Sequence, residues 1–281
     1  PGVAFLRDIA LAKAPSVEGR RVVVVGGGDV AIDSARSAWR LNASEVHVVY
    51  RREAQDMPAH AEEIEAAKEE GIRFHFLVNP LAVLGQSAVT GVRLQRQALG
   101  EFDASGRRRP RAIPRSEFDL PCDVLIPAIG QYTDFDWLRD NRVETERAQR
   151  IKVGRALETT APGIFAAGDC VSGPATVIGA VAQGNKVAMA VEAYLTTGKL
   201  EPIVYRPAAH EVARTVDPAE YAQARRASAG MLPTAWRAGG FVEVEMGFDE
   251  ATAQAEAKRC LRCDLEEMES ADQAAARTPD A

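Results

Sequence analysis

The chain has 281 residues and a net charge of −6, with 46% hydrophobic and 26% charged residues. This composition is ordinary for a globular protein of one large domain or two smaller ones. The negative charge gives no electrostatic reason to expect nucleic acid or an anionic membrane as a partner. No apolar run approaches the roughly 20 residues that a membrane-spanning helix needs. No signal-peptide pattern opens the chain, and four cysteines in this length do not make a disulfide framework. We therefore expect a cytoplasmic protein.

Residues 1–17 are expected to form a short helix and a linker. A strand, a glycine turn and a helix follow. Val22–Val25 can form a strand buried on both faces, as in a parallel sheet. Gly26-x-Gly28-x-x-Ala31 comes next and opens a helical pattern. In this motif the first glycine makes the turn, the second admits a pyrophosphate, and the small third residue lets the helix pack on the strand. The predicted pyrophosphate site is Gly26, Gly27, Gly28, Asp29, Val30 and Ala31. The alternative is a plain strand-to-helix turn.

The second strand of this unit, Glu45–Tyr50, closes with two arginines. In such a unit an acidic residue at this position accepts from the ribose 2′-OH of NAD, whereas arginine suits the 2′-phosphate of NADP. Arg51 and Arg52 therefore predict NADP(H), because guanidinium groups bind phosphate in a bidentate, fully charged way. The alternative is a solvated loop at the end of the strand.

The next elements complete the first domain. A helix is predicted over Ala61–Glu70, and a strand over Ile72–Val78 that Asn79-Pro80 would stop. Another strand is predicted over Val89–Ala98. The basic stretch Gly100–Arg115 is interpreted as an exposed hairpin loop rather than a binding patch, because it has no interleaved aromatic residues. A buried strand starting near Cys122 then enters a glycine turn at Ile129-Gly130, where the first domain should end.

The second half has a signature of its own. Ile164–Ala167 predicts an apolar strand that ends in Gly168-Asp169 and places a carboxylate at the edge of a sheet, where it can accept hydrogen bonds from a polyol. A helix over roughly Thr176–Leu195 follows, and its free N–H groups would face the same edge. The alternative is a common strand-to-helix corner with an aspartate cap.

The arrangement of these motifs resembles the glutamate synthase small-subunit (beta-subunit) family of NADPH-dependent flavoprotein oxidoreductases. The resemblance covers residues 1 to about 197 and is carried by Gly-Gly-Gly-Asp-Val-Ala, Val-Tyr-Arg-Arg, Met-Pro-Ala, Ala-Ile-Gly-Gln and Ala-Ala-Gly-Asp. It implies that the first glycine turn and Arg51/Arg52 hold NADP(H). It also implies that Asp169 takes the ribityl chain of FAD, and that the backbone around Thr176-Val177 lies against the isoalloxazine ring. Ile129, Gly130 and Gly168, which stand in the matching Ala-Ile-Gly-Gln and Ala-Ala-Gly-Asp motifs, are also predicted to bind cofactor.

One large departure from the family concerns FAD. The family's FAD domain begins with its own glycine motif, and no such motif precedes Arg21 here. We expect an incomplete FAD site in this chain, so that the sequence is a fragment or another chain supplies the missing half.

The tail contains an Ala/Arg-rich helix predicted near 219–229, a second helix predicted over Asp249–Leu261, and the pair Cys260-x-x-Cys263. Two thiolates cannot fill a four-ligand site. The alternatives are a truncated iron–sulfur segment, which we favour, a site shared with a second chain, or a vestigial pair. A redox dithiol is less favoured, because such a pair sits inside the nucleotide domain of thioredoxin reductases.

The sequence therefore predicts an α/β fold. A doubly wound, Rossmann-like, three-layer NADP-binding domain (18–120) would be followed by the C-terminal part of a second, FAD-binding Rossmann-like domain (121–200) and an extension (201–281). The expected function is hydride transfer from NADPH to FAD, with electrons passing to iron–sulfur centres on a partner subunit or acceptor protein. No general acid or base is nominated, because the cofactors carry the reaction. Two alternatives are a non-catalytic NADP-binding docking subunit and a two-substrate NADP dehydrogenase. The sequence counts against a dehydrogenase of the short-chain type, because no tyrosine in the chain has a lysine four residues later.

Overall fold

The computed structural model describes residues 1–13, 15–102, 106–131, 135, 138, 142–146, 150–200 and 225–260. The chain divides into two compact units: unit 1 is Pro1–Ile129 with Val216–Cys260, and unit 2 is Gly130–Thr215 with Leu261–Ala281. The described elements in chain order are α1 (Gly2–Ala10), β1 (Arg21–Val25), α2 (Asp29–Arg40), β2 (Glu45–Tyr50), α3 (Ala61–Glu69), β3 (Arg73–Phe76), β4 (Val78–Leu84), β5 (Gly91–Phe102), β6 (Arg108–Pro121), β7 (Val124–Pro127), β8 (Thr145–Glu146), β9 (Arg150–Ile151), α4 (Asp169–Ser172), α5 (Val177–Thr197), α6 (Thr234–Arg237) and α7 (Glu250–Ala257).

A four-stranded parallel sheet, in the order β3-β2-β1-β7, forms the centre of unit 1. Val22 of β1 lies opposite Val46 of β2 and Val124 of β7. Val22, Val23 and Val24 are fully buried, because layers cover both faces of the sheet. The predicted α/β fold with a parallel sheet is confirmed.

Helices cover one face of this sheet. The apolar stripe of α2 consists of Ala31, Ile32, Ala35 and Ala38, all 0% exposed. Its small side chains let the helix approach β1 closely, while the larger Ile32 packs with Val22 and Val24 in one cluster. This packing fixes the start of α2 at the carboxyl end of β1.

An antiparallel sheet of three strands, β4-β5-β6, covers the opposite face. Val23 and Val49 of the parallel sheet pack in one cluster with Val78, Val92 and Leu94. The third layer of the domain is therefore a β-sheet.

Two predictions about this region need correction. Asn79 and Pro80 lie inside β4 and do not stop a strand. Proline is tolerated there because β4 is an edge strand, and its register with β5 shifts between Pro80 and Ala82. The stretch 100–115 belongs to an exposed hairpin, as predicted, but it is not a loop throughout, since β5 continues to Phe102 and β6 begins at Arg108.

Residues 225–260 belong to unit 1. Met231 forms an isolated β-bridge with Glu245, and Arg237 of α6 pairs with Glu69 at the end of α3. The predicted tail helix is present as α7, with Asp249 accepting from the Thr252 N–H at 2.7 Å. Most of the helix expected near 219–229 lies outside the described residues, and 225–229 are not helical.

Unit 2 contains the short pair β8–β9, α4 and the 21-residue helix α5. The helix expected over 176–195 is confirmed. The apolar strand predicted over Ile164–Ala167 is not: Phe165 makes an isolated bridge with Glu158. A strand needs a neighbouring strand for its main-chain hydrogen bonds, and the described part of unit 2 offers this segment no neighbour beyond that bridge.

Along the described ranges, no helix combines the length and apolar character that crossing a membrane requires.

Candidate dinucleotide site

The glycine turn lies between the carboxyl ends of three parallel strands. The Gly26 N–H donates to the Val49 carbonyl oxygen at 3.0 Å. Gly26 has φ +148°, and a Cβ there would lie 2.3 Å from the Ala128 carbonyl oxygen. A Cβ on Gly27 would lie 2.4 Å from the Tyr50 ring. Glycine is therefore required by the fold itself at both positions.

The first turn of α2 presents main-chain N–H groups at this edge. Gly28 is the N-cap and provides no side chain to cap them. Asp29 stands in the same turn, where its carboxylate accepts from the His60 N–H at 3.1 Å. The N–H groups at a helix start have no intrahelical partner, and they carry the positive end of the helix dipole. This arrangement suits a diphosphate.

A loop after β2 forms a second wall of the turn. The Ala59 N–H donates to the Gly27 carbonyl oxygen at 3.1 Å, and the Tyr50 hydroxyl donates to the Asp56 carbonyl oxygen at 2.7 Å. The segment Met57-Pro58-Ala59 belongs to the family resemblance, but the sequence predicts no role for it. The burial of Met57 and Ala59 is what places this loop at the turn.

The two arginines after β2 have different surroundings. Arg51 is exposed. Arg52 is 5% exposed, and its Nε donates to the Arg108 carbonyl oxygen of β6 at 2.9 Å. Both lie at the edge that carries the glycine turn, but the buried one also holds the β5–β6 hairpin. No local pattern in the sequence indicates this contact.

Ile129 and Gly130 follow β7, as the sequence predicted. Ile129 is 77% exposed, and Gly130 has φ +116°, so the backbone turns at the end of the strand.

In unit 2, the Gly-Asp turn is held against α5. The Gly168 N–H donates to Oε1 of Gln183 at 2.7 Å, a partner that the sequence analysis did not single out. Asp169 is exposed at the first position of α4. Thr176 caps α5, accepting from the Gly179 N–H at 3.2 Å, and Val177 is 84% exposed. An exposed carboxylate near an accessible helix start fits the donors and acceptors of a flavin's polyol and ring.

A metal centre finds no support in the described ranges. No group of three or more His, Cys, Asp or Glu residues there could hold an ion. Cys260 is exposed and unpaired with another cysteine, whereas Cys263 lies outside the described residues. We derive no chemistry through a cluster.

Burial also shifts some titratable groups of unit 1, whether or not they lie at this edge. Desolvation raises the pKa of Asp33 on α2, and the nearby Glu63 and Asp29 charges add to the rise. Desolvation likewise raises the pKa of the Cys122 thiol, which is completely buried. A buried thiol with a raised pKa is a poor nucleophile, as expected for a structural cysteine.

A parallel sheet with a glycine turn at the carboxyl end of its first strand and a helix start facing that turn defines a dinucleotide-binding protein of the Rossmann class. Residues 2–184 match the family model "Pyridine nucleotide-disulphide oxidoreductase". The chain belongs to this family, which confirms the predicted class.

Three curated proteins show what the chain is similar to. It is 48% identical over 271 residues to "NADP(+)-dependent formate dehydrogenase subunit beta" of Moorella thermoacetica, covering 94% of this chain and 38% of that protein. It is 37% identical to "NADPH-Fe(3+) oxidoreductase subunit beta" of Geobacter sulfurreducens, covering 93% of this chain and 44% of that protein. It is 42% identical to "Glutamate synthase [NADPH] small chain" of Escherichia coli, covering 62% of this chain and 38% of that protein. The chain thus spans about two fifths of the length of these relatives.

Solved structures support the fold alone. Thioredoxin reductase of T. acidophilum matches with a TM-score of 0.54 and 22% identity, over 68% of this chain and 56% of that chain. FprA of Mycobacterium tuberculosis matches with a TM-score of 0.54 and 18% identity, over 66% of this chain and 55% of that chain.

Proposed function

We propose that this chain carries the NADPH-binding domain and the later half of the FAD-binding domain of a flavoprotein oxidoreductase subunit. The observation that carries the proposal is the glycine turn, where the fold itself demands Gly26 and Gly27 while Gly28 leaves the start of α2 open. The named relatives point the same way, because their descriptions include NADP(+) or NADPH and the words "subunit" or "small chain".

The chain's residues have separate roles in this proposal. The N–H groups at the start of α2 bind the pyrophosphate, and Arg51 binds the 2′-phosphate that distinguishes NADPH from NADH. Asp169 accepts from the ribityl hydroxyls of FAD, and the main chain at Thr176-Val177 lies against the flavin ring. When both cofactors are bound, they supply the redox chemistry, a hydride passing from nicotinamide C4 to flavin N5. The protein contributes orientation and electrostatics.

The rest of the proposal concerns what completes the site. The other half of the FAD domain comes from another subunit or from a longer form of the chain. The chain assembles with another subunit or with a second copy of itself, and electrons leave to iron–sulfur centres on a partner. The location is cytoplasmic, in line with the three described cysteines being free thiols.

The test is an anaerobic titration of the purified chain with NADPH and with NADH, followed by visible absorption and nucleotide fluorescence. We expect NADPH to bind more tightly than NADH. Flavin bands that bleach on addition of NADPH would support hydride transfer by this chain. A colourless chain that binds NADPH would favour the docking-subunit alternative, and a chain that binds neither nucleotide would overturn the proposal.

A further inference from the structure

The β5–β6 hairpin extends beyond the edge of the parallel sheet that carries the glycine turn. Leu77 connects this edge to the hairpin. Its N–H donates to the carbonyl oxygen of Arg52, just after β2, at 3.1 Å, and its carbonyl oxygen accepts from the N–H of Gln97 in β5 at 2.7 Å. Gln97 therefore lies level with the end of the parallel sheet. Residues 98–102 of β5 lie beyond that level, about 16 Å of strand. The paired residues 97–102 and 108–112 are called the arm below.

Hydrogen bonds hold the arm beside the end of β2. Arg52, almost fully buried, donates from Nε to the Arg108 carbonyl oxygen at 2.9 Å. Arg108 in turn donates from Nη2 to the Leu99 carbonyl oxygen at 2.9 Å and from Nε to that of Gly100 at 3.2 Å. The first residues of β6 are therefore fixed next to the strand end that determines which ribose substituent a Rossmann domain accepts.

The arm is basic in an acidic protein. The chain has a net charge of −6, yet closely spaced arginines stand at the start of β6, namely Arg108, Arg109 and Arg111, and Arg107 directly precedes them. Like charges this close repel one another. A concentration of positive charge at one edge of a nucleotide domain suits a multiply charged anion such as a phosphate.

Among these arginines, Arg109 is the best placed to meet a ligand. It directly follows the carbonyl that Arg52 contacts, and it is exposed. Within the described ranges neither Arg109 nor Arg51 forms an ion pair. The side chain of Arg111 lies along the arm instead. Its Nε packs against Gly100 of β5, only 2.7 Å from where a Cβ would stand. The guanidinium of Arg108 is engaged with the carbonyls of β5.

We propose that the arm is the outer wall of the 2′-phosphate site, with Arg109 donating to the 2′-phosphate of NADP(H) from the side opposite Arg51. Arg52 is a positioning residue that holds the arm in place. This inference rests on the proposed function, since it needs a nucleotide at the glycine turn. It adds a second element, distant in sequence, to the choice between NADP(H) and NAD(H).

The test compares nucleotides with and without the 2′-phosphate on the full chain. Dissociation constants are measured for NADPH, NADH, adenosine 2′-phosphate and adenosine 5′-phosphate. Arg109→Ala is expected to weaken NADPH and adenosine 2′-phosphate about tenfold and to leave the other two unchanged, because a charge-assisted hydrogen bond is lost. Arg20→Ala is the matched control. It removes the same charge just before β1, at the opposite edge of the sheet, and should change none of the four constants.

The outcomes separate this inference from the proposed function. If the unmodified chain binds NADPH no better than NADH, the proposed NADPH preference fails. The arm inference alone fails under three conditions together: the unmodified chain prefers NADPH, Arg51→Ala removes this preference, and Arg109→Ala leaves it unchanged. Equal weakening of NADPH and NADH by Arg109→Ala would also overturn it, since the arm would then act on the fold and not on the phosphate. Melting temperatures of all variants are compared to check folding.

The role of Arg52 is tested with a double-mutant cycle. If Arg52 acts through the arm, Arg52→Ala lowers the preference for NADPH in the unmodified chain but adds little in the Arg109→Ala background. Fully multiplicative losses would show that Arg52 acts independently of Arg109 and would overturn its positioning role.

Discussion

At the scale of single residues, the glycine turn separates what folding requires from what a ligand requires. Gly26 combines φ +148° with a neighbouring carbonyl oxygen only 2.3 Å from any added Cβ. Gly28 has φ −93°, which any residue adopts, and its added Cβ would meet only Pro58 Cγ, at 3.9 Å. Space at Gly28 is therefore left for something other than protein.

This contrast predicts opposite effects for two alanine substitutions. Gly26→Ala should lower the free energy of unfolding by about 2–3 kcal/mol or more, because it adds a clash and a strained backbone. Gly28→Ala should change stability by less than about 1 kcal/mol yet weaken NADPH at least about tenfold, since the second glycine admits the pyrophosphate. Urea unfolding and NADPH titration of both variants check this. Full NADPH affinity in Gly28→Ala would contradict the site.

Local sequence patterns were sufficient to locate the turn, but they do not reveal the contact that Arg52 makes with β6. Gly26 and Gly28 were found because strand, glycine spacing and helix stand next to one another in the chain. Arg51 and Arg52 had been given the same role. Only the folded chain shows that Arg52 contacts the carbonyl of Arg108, a residue 56 positions away. Such a contact leaves no local pattern.

At the scale of elements, a buried charge cluster joins α2 to the end of α3. The Glu70 side chain is 0% exposed and accepts from Arg36 Nη2 at 2.6 Å and from Arg40 Nη2 at 3.0 Å. Arg237 of α6 pairs with the neighbouring Glu69. Removing a buried carboxylate from between arginines strongly destabilises a fold, because the guanidinium charges stay buried without a compensating negative charge.

We therefore expect Glu70→Gln to lower the free energy of unfolding by about 3 kcal/mol or more. The matched control is Glu65→Gln on the same helix, where the exposed pair with Lys68 should contribute less than about 0.5 kcal/mol. Both values come from urea unfolding of the purified chain. Equal, small losses in the two variants would show that the cluster contributes no more than a surface ion pair.

The elements themselves were predicted unevenly. The parallel strands and α2 were recognisable because burial on both faces and helical spacing leave clear apolar patterns. The arm was mistaken for a loop because its residues are exposed and basic, as polar loops are. Its strands pair in antiparallel register, with Ala98 opposite Arg111 and Phe102 opposite Arg108. The main-chain hydrogen bonds of such a ladder do not depend on an apolar pattern.

At the scale of the whole molecule, α5 exposes several large apolar residues. Val177, Ile178 and Val181 are 84%, 73% and 50% exposed, and of the helix residues only Ala190 is buried. Large exposed apolar patches mark surfaces that meet another surface. The chain also spans only 38% to 44% of the length of the relatives named above. The exposed apolar surface of α5 supports the proposal that further protein completes the FAD site.

This view predicts how flavin content responds to Asp169. In a complete protein or complex that contains this sequence, Asp169→Ala should reduce the FAD retained per folded molecule, because the carboxylate accepts from the ribityl chain. Glu192→Ala is the control, an exposed carboxylate lost near the other end of α5. Flavin absorbance is compared with the folded fraction from circular dichroism. Unchanged flavin content at equal folded fraction would remove Asp169 from the site.

The sequence by itself determined the class of fold, the position of the glycine turn and the family resemblance, because these depend on residues close together in the chain. Local spacing fixes strand, turn and helix through main-chain hydrogen bonding and apolar burial. The tertiary structure decided the rest. It showed that β-strands cover the second face of the sheet, that the loop after β2 forms a wall of the site, and that a basic arm lies beside Arg52. These features depend on contacts between residues far apart in sequence, where packing and hydrogen bonding act across the fold and leave no periodic signal.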